Sequence, residues 1–167
     1  MNPLDEFSFA QLLWGVPILL AIHNLEEAPF MEKWSKGLPL PIHPIVSTKQ
    51  FVAAVTILTI AGFAVTYFGI TTSNQPMGIS IILEIQMVML VNVFLPHLAS
   101  TICFRQYSPG IVTGLLFNLP FSIYLFQHAM QEGFMSWQLA WILLAITPFA
   151  TIALILTSLQ IGKWFVK

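Results

Sequence analysis

Charge is scarce in this chain. Of its 167 residues only 8% are Asp, Glu, Lys or Arg, against 57% hydrophobic. A soluble domain of that size could not hide so much apolar surface, so the composition implies an integral membrane protein. Cysteine is nearly absent as well. The single Cys103 excludes an internal disulfide and any cysteine-rich metal site, and in its apolar surroundings it reads as a small packed hydrophobe. The sequence has no phosphate-binding glycine loop, no GxSxG elbow, no CxxCH and no basic patch. Nucleotide and nucleic-acid partners are thereby excluded. A cleavable signal is not expected, because the Asp5 and Glu6 flank is acidic and no A-x-A site follows the first apolar run.

What the chain has instead is long apolar runs. Five of them are long enough to cross a bilayer: Ser8 to Glu27, Thr48 to Ile70, Ile79 to Phe104, Pro109 to Gln131 and Trp137 to Ile161. Turn chemistry separates them, at Pro39, Pro41 and Pro44, at Thr71 to Gly78 with Pro76, at Ser108 to Gly110, and at Gly133. Glu32, Lys33, Trp34 and Lys36 form a short amphipathic stretch expected to lie along the interface. Pro120 and Pro148 are expected to kink their helices, with Thr147 and Thr151 repairing the freed backbone bonds.

The basic residues orient the bundle. With five spans, Lys33, Lys36, Lys49, Arg105, Lys163 and Lys167 all fall on one side. By the positive-inside rule that side is cytoplasmic and the amino terminus is outside. Adding or deleting one span would scatter the charges over both faces.

Against this background His23, Glu26 and Glu27 near the end of the first span are the chemical signal, since ionisable groups in a membrane are expensive to place. On a helix, residues three and four apart share a face, so both carboxylates lie beside the imidazole. Asn92 and His97 in the third span come to a comparable depth. Five residues apart they would diverge on a regular helix, but Pro96 cannot donate the bond that the carbonyl of Asn92 expects, and a π-type widening there would bring the two together. Glu84, Asn118, His128 and His43 have no spacing that ties them to this cluster.

The HNLEE of His23 to Glu27, the later Asn92 and His97, and the RQYSPG of Arg105 to Gly110 followed by Thr113 resemble the HXXEE-domain family of prokaryotic integral membrane proteins. The resemblance covers nearly the whole chain. That family also carries an NxxxH motif, whereas here four residues separate Asn92 from His97. The resemblance implies a membrane protein with an enzyme-like set of polar residues and supplies no reaction.

The residues themselves allow three chemistries. In the first, His23, Glu27 and His97 hold a divalent metal such as zinc, iron or manganese, with a position left open for water and the remaining glutamate, Glu26, as general base. Such an ion lowers the pKa of its water toward about 7. In the second, the paired glutamates work with the two histidines as a metal-free acid/base relay. In the third, the cluster serves ion or proton transport, with Glu84 extending it outward, or merely satisfies itself. A haem between His23 and His97 ranks below these.

The reading that results is a single domain over residues 1–167, an all-α integral membrane bundle of about five transmembrane helices in the cell membrane. Its amino terminus is outside and its carboxyl terminus cytoplasmic. Its expected catalytic residues are His23, Glu26, Glu27, His97 and Asn92, acting by hydrolytic or other acid/base chemistry on a lipidic or membrane-near substrate, with the lipid bilayer as its partner.

Overall fold

The computed structural model describes residues 7–38 and 44–165; Asp5, Glu6, Pro39, Pro41, His43 and Lys167 lie outside the described residues. All regular structure among the described residues is helical. Five helical runs are long and apolar enough to cross a membrane: Phe9–Glu27, Thr48–Thr71, Gln75–Phe104, Ile111–Gln131 and Trp137–Trp164. The first consists of α1 (Phe9–Leu13) and α2 (Gly15–Glu27), and a short α3 (Met31–Gly37) follows it. The second is α4 (Thr48–Thr71). The third joins α5 (Gln75–Asn92) through a kinked segment, Val93–Leu98, to α6 (Ala99–Phe104). The fourth runs from α7 (Ile111–Thr113) through a π-helical segment, Gly114–Asn118, into α8 (Leu119–Gln131), and the fifth is α9 (Trp137–Phe165).

Local chemistry sets most of the helix starts. Ser8, Ser47 and Ser136 each accept a backbone N–H from the residue three positions on, at 3.2 to 3.3 Å, the usual role of an N-cap side chain. Asn74 does the same for Met77 at 3.4 Å, which begins the third run at Gln75 and places Pro76 in its first turn. The expectation of a loop through Pro76 is therefore corrected. A proline there loses nothing, because the first turn's N–H groups have no helical partner. The fourth run differs. Its cap position is Gly110, with φ of 92° and no side chain to offer.

Of the three prolines expected to disturb their helices, Pro96 and Pro120 lie next to irregular backbone. Leu95 is extended, at φ −133° and ψ 110°, as the residue before a proline prefers, so the third run kinks there and the π-type widening expected at Pro96 is corrected. Pro120 follows directly on the π-helical segment Gly114–Asn118, at the start of α8. Pro148 is carried inside the continuous helix α9. Thr147 donates to the carbonyl of Leu143 at 2.9 Å and to Glu84 at 3.2 Å, whereas the Thr151 hydroxyl is buried without a hydrogen-bond partner. Of the two threonines expected to repair the backbone, only Thr147 bonds to it.

Packing divides into two apolar cores with polar residues between. One gathers Leu13, Val16, Ile82, Leu83, Leu125 and Ala129 from the first, third and fourth runs. The other gathers Met31, Trp34, Val46, Phe51, Ala54 and Leu159 around α3 and the adjoining ends of α4 and α9. At that second end Glu32 accepts from Lys36 at 2.7 Å and from the Thr48 amide and hydroxyl at 2.7 and 2.9 Å. These bonds, that to Lys36 foremost, hold its carboxyl down at about 2 and join α3 to the start of α4. Large apolar side chains also cover the outside of the bundle, with Leu25 at 74% and Phe149 at 75% exposed. Water would penalise such a surface and hydrocarbon would not.

Where α4 turns into α5 the backbones touch. A Cβ on Gly78 would stand 2.3 Å from the carbonyl oxygen of Gly69 and 2.7 Å from its Cα, so the two helices must separate to admit any side chain. Gly78→Ala should cost about 1–3 kcal/mol, the range for overpacking, read as a lower thermal midpoint in detergent. Gly37→Ala, where nothing lies within 4 Å of the added Cβ, should leave the midpoint unchanged.

Candidate metal centre

The end of α2 and the irregular part of the third run meet the loop before the fourth. His23, Glu27 and His97 are all buried there, and one ligand atom from each lies within 4.8 Å of the others. His23 Nε2 stands 3.7 Å and His97 Nε2 3.4 Å from Glu27 Oε1. Hydrogen bonds from nitrogen to oxygen cluster at about 2.7–3.2 Å, so both separations are long for direct bonds. Around zinc, with bonds of about 2.0–2.2 Å, the donors of a tetrahedron stand about 3.3–3.6 Å apart. The His97 distance falls within that range and the His23 distance just beyond it. These three residues could hold a metal ion.

The rings are fixed from behind. His23 Nδ1 meets Thr113 Oγ1 at 2.9 Å, and that hydroxyl points its own proton at the carbonyl of Gly110, 3.4 Å away. With Nδ1 donating to that hydroxyl, the tautomer that a metal ligand needs, Nε2 is left unprotonated. His23 Nε2 is buried without a hydrogen-bond partner, an arrangement that costs free energy unless something supplies a positive charge or a proton. Ser108 Oγ lies 3.4 Å from His97 Nδ1, a looser contact. A polar partner behind the imidazole is the support that metal-binding histidines commonly have. The ring centroids are 5.0 Å apart and the planes cross at 74°. Gly110 lies against both rings: a Cβ there would come within 2.6 Å of His23 Cε1 and 2.8 Å of His97 Cε1.

Glu26 turns the other way. Its Oε1 accepts from the Tyr107 hydroxyl at 2.6 Å and from the amides of Gly110 and Val112 at 3.1 Å each, and its Oε2 accepts from the Thr113 amide at 2.7 Å. These are the amides left bare at the start of the fourth run, and the first run supplies the carboxylate that caps them. Burial and the bond to Glu26 push the Tyr107 phenol above its usual range.

Of the five residues singled out in the sequence, His23, Glu27 and His97 converge. Asn92 lines the same cavity, and its Oδ1 is buried without a hydrogen-bond partner. Glu26 is adjacent in sequence but directed to the loop. Thr113, Ser108, Tyr107 and Gly110 complete the surroundings. The sequence argument used them only as a turn or as part of a family pattern; a buried histidine's need for a partner on its second nitrogen was the signal available for the two hydroxyls. Glu84 and Thr147 form a separate pair. Arg105 is exposed at the end of α6, in the left-handed conformation with φ of 51°.

Glu26→Ala should leave three loop amides without their acceptor. The loss should be at least about 1–3 kcal/mol, with faster hydrogen exchange at Gly110, Val112 and Thr113. Glu27→Gln should leave those three amides protected. Equal exchange in the two variants would contradict the division between the glutamates.

A family model described as "Protein of unknown function with HXXEE motif" matches residues 14–125. An uncharacterized protein of Bacillus subtilis (strain 168), YrkK, is 24% identical over 143 residues, which cover 86% of this chain and 90% of that protein. No solved structure matches the chain. The matched stretch begins just before α2, takes in every residue of the centre and of the loop behind it, and ends within α8. The chain belongs to the HXXEE family.

Proposed function

We propose that this chain is a multi-pass protein of the cell membrane in which His23, Glu27 and His97 form a divalent metal centre for hydrolytic or other acid/base chemistry on a lipidic substrate. The membrane setting rests on the five long apolar helices and the apolar exterior. The orientation rests on Lys33, Lys36, Lys49, Arg105 and Lys163, which follow or precede the spans at the same end of the bundle. By the positive-inside rule this end is cytoplasmic, and the centre lies close to it.

The observation that carries the metal reading is the convergence of two imidazole nitrogens and one carboxylate oxygen within 4.8 Å in a buried site. Imidazole with carboxylate suits zinc, iron or manganese. Three protein donors leave a position open, as catalytic sites require. The ion would supply Lewis acidity and acidify a water toward a pKa of about 7. The protein's share is positioning. Thr113 and Ser108 set ring orientation, and Gly110 admits the loop against both rings. Glu26 is in this reading a positioning residue that keeps Thr113 in place. Asn92 offers an amide on the cavity wall to a water or a substrate oxygen.

Proton or ion transport is the second reading. Its support is Glu84, which accepts from Thr147 at 3.2 Å and keeps Oε2 buried without a hydrogen-bond partner.

Elemental analysis of the purified protein in detergent separates the two. Wild type should carry a near-stoichiometric divalent ion that is lost in His23→Ala, His97→Ala and Glu27→Gln. Thr113→Val should weaken its binding about 10- to 100-fold, the usual effect of removing a ligand's supporting partner. Folded wild type that takes up no zinc, iron or manganese would contradict the metal centre. Proton flux in vesicles that disappears in Glu84→Gln would then favour transport.

A further inference from the structure

The metal centre opens onto a cavity of about 250 Å³ enclosed by α2, α4, the third run and α9. Most of its polar groups lie in one stretch. Asn24, next to His23, donates to the Val55 carbonyl at 3.4 Å and the Thr59 hydroxyl at 2.9 Å, so the centre lies level with the 55–59 turn of α4. Beyond that level the walls are hydrocarbon, formed by Leu20, Leu58, Ala61, Val65, Ile85 and Val88, apart from the Thr151 hydroxyl of α9. This arm ends where Val65 and Ile85 pack on the apolar core at the far end of the bundle. The helices flanking it are close: at Gly62 a Cβ would already stand 3.2 Å from Leu20 Cδ2.

The arm can be measured along its helices. From Leu58 to Val65 on α4, and from Asn92 back to Ile85 on α5, the rise of about 1.5 Å per residue gives an arm about 10 Å long. A zigzag of C–C bonds of about 1.5 Å advances about 1.3 Å per carbon, so such an arm takes about eight carbons. Water gains little there, since the Thr151 hydroxyl is the one polar group among the residues lining the arm and a buried water needs about two to four partners. A hydrocarbon chain entering with its polar end at the centre matches both the lining and the taper.

We infer that this arm seats a single hydrocarbon chain of the substrate, and that it acts as a ruler placing the reacting bond at His23, Glu27 and His97 about eight carbons from the chain's inner end. The inference takes the lipidic substrate from the proposed function; the seating of the chain itself does not require the ion. Ala61 and Ile85 are then the residues that set chain length. A side chain added at Ala61 shortens the arm, and one removed at Ile85 lengthens it.

The test is photolabelling of the full-length protein in metal-free nanodiscs with a straight-chain alkanol bearing a terminal diazirine. Saturated alkanols of increasing length serve as competitors. In wild type the label should fall on the peptides holding Val65 or Ile85, with protection strongest near about eight carbons. Ala61→Phe should move that optimum to shorter alkanols and Ile85→Ala to longer ones; His23→Ala should keep the inner label. Label confined to the outer faces of α9 at Phe149 and Ile152, with no change in either variant, would overturn the inference. Inner labelling in a protein that binds no metal would uphold the chain site and remove the metal centre. A bound metal without inner labelling would do the reverse.

Discussion

The arrangement depends on one carboxylate meeting the bare end of another helix. The fourth run starts at a glycine that can offer no capping side chain. Three of its amides and the Tyr107 hydroxyl converge on Glu26. A charge-assisted bond of this kind is roughly twice as strong as a neutral one, and its loss would strand several donors together. By holding the loop against α2, Glu26 also delivers Thr113 to His23 and Gly110 to the faces of both rings. The distance between the first and fourth runs is therefore set by an ion rather than by apolar contact alone.

Helical geometry explains why the motif needs two adjacent glutamates. Consecutive residues project about 100° apart, so Glu26 and Glu27 fall on opposite sides of the line through His23. One reaches the loop before the fourth run and the other reaches His97 in the third. The motif is thus a branch point that joins three runs. His23 points between them, and the closeness of Glu27 to both histidine nitrogens follows from the same geometry.

Span number, the charge bias and the meeting of His23, Glu27 and His97 could be read in the sequence, because hydropathy and helical periodicity are local properties. That the helix is disturbed near Pro96 was legible for the same reason, since a proline leaves a carbonyl without its donor, but the disturbance is a kink at the extended Leu95 and not the π-type widening expected there. What could not be read was which neighbour each polar group would choose. Glu26 reads as a spare base until the loop at Gly110 is seen to lack a cap, and Thr113 reads as one more threonine until its hydroxyl is found 2.9 Å from His23. Pro76 was placed in a loop because a proline marks a boundary without saying on which side of it the helix lies. Asn74 decides that by capping from the residue before Gln75. The hydrocarbon arm beyond the centre is a property of four helices packed together, and no single segment announces it.

The central claim is that two histidines from different runs and one glutamate surround a single ion. X-ray absorption at the edge of the bound metal tests this directly, because imidazole rings give multiple-scattering features that carboxylate and water do not. Two imidazoles with oxygen donors in wild type, and one imidazole in His97→Ala reconstituted at high metal concentration, is the predicted result. A shell of oxygen alone in the wild-type protein would mean that the ion sits elsewhere and that His23, Glu27 and His97 are not its ligands.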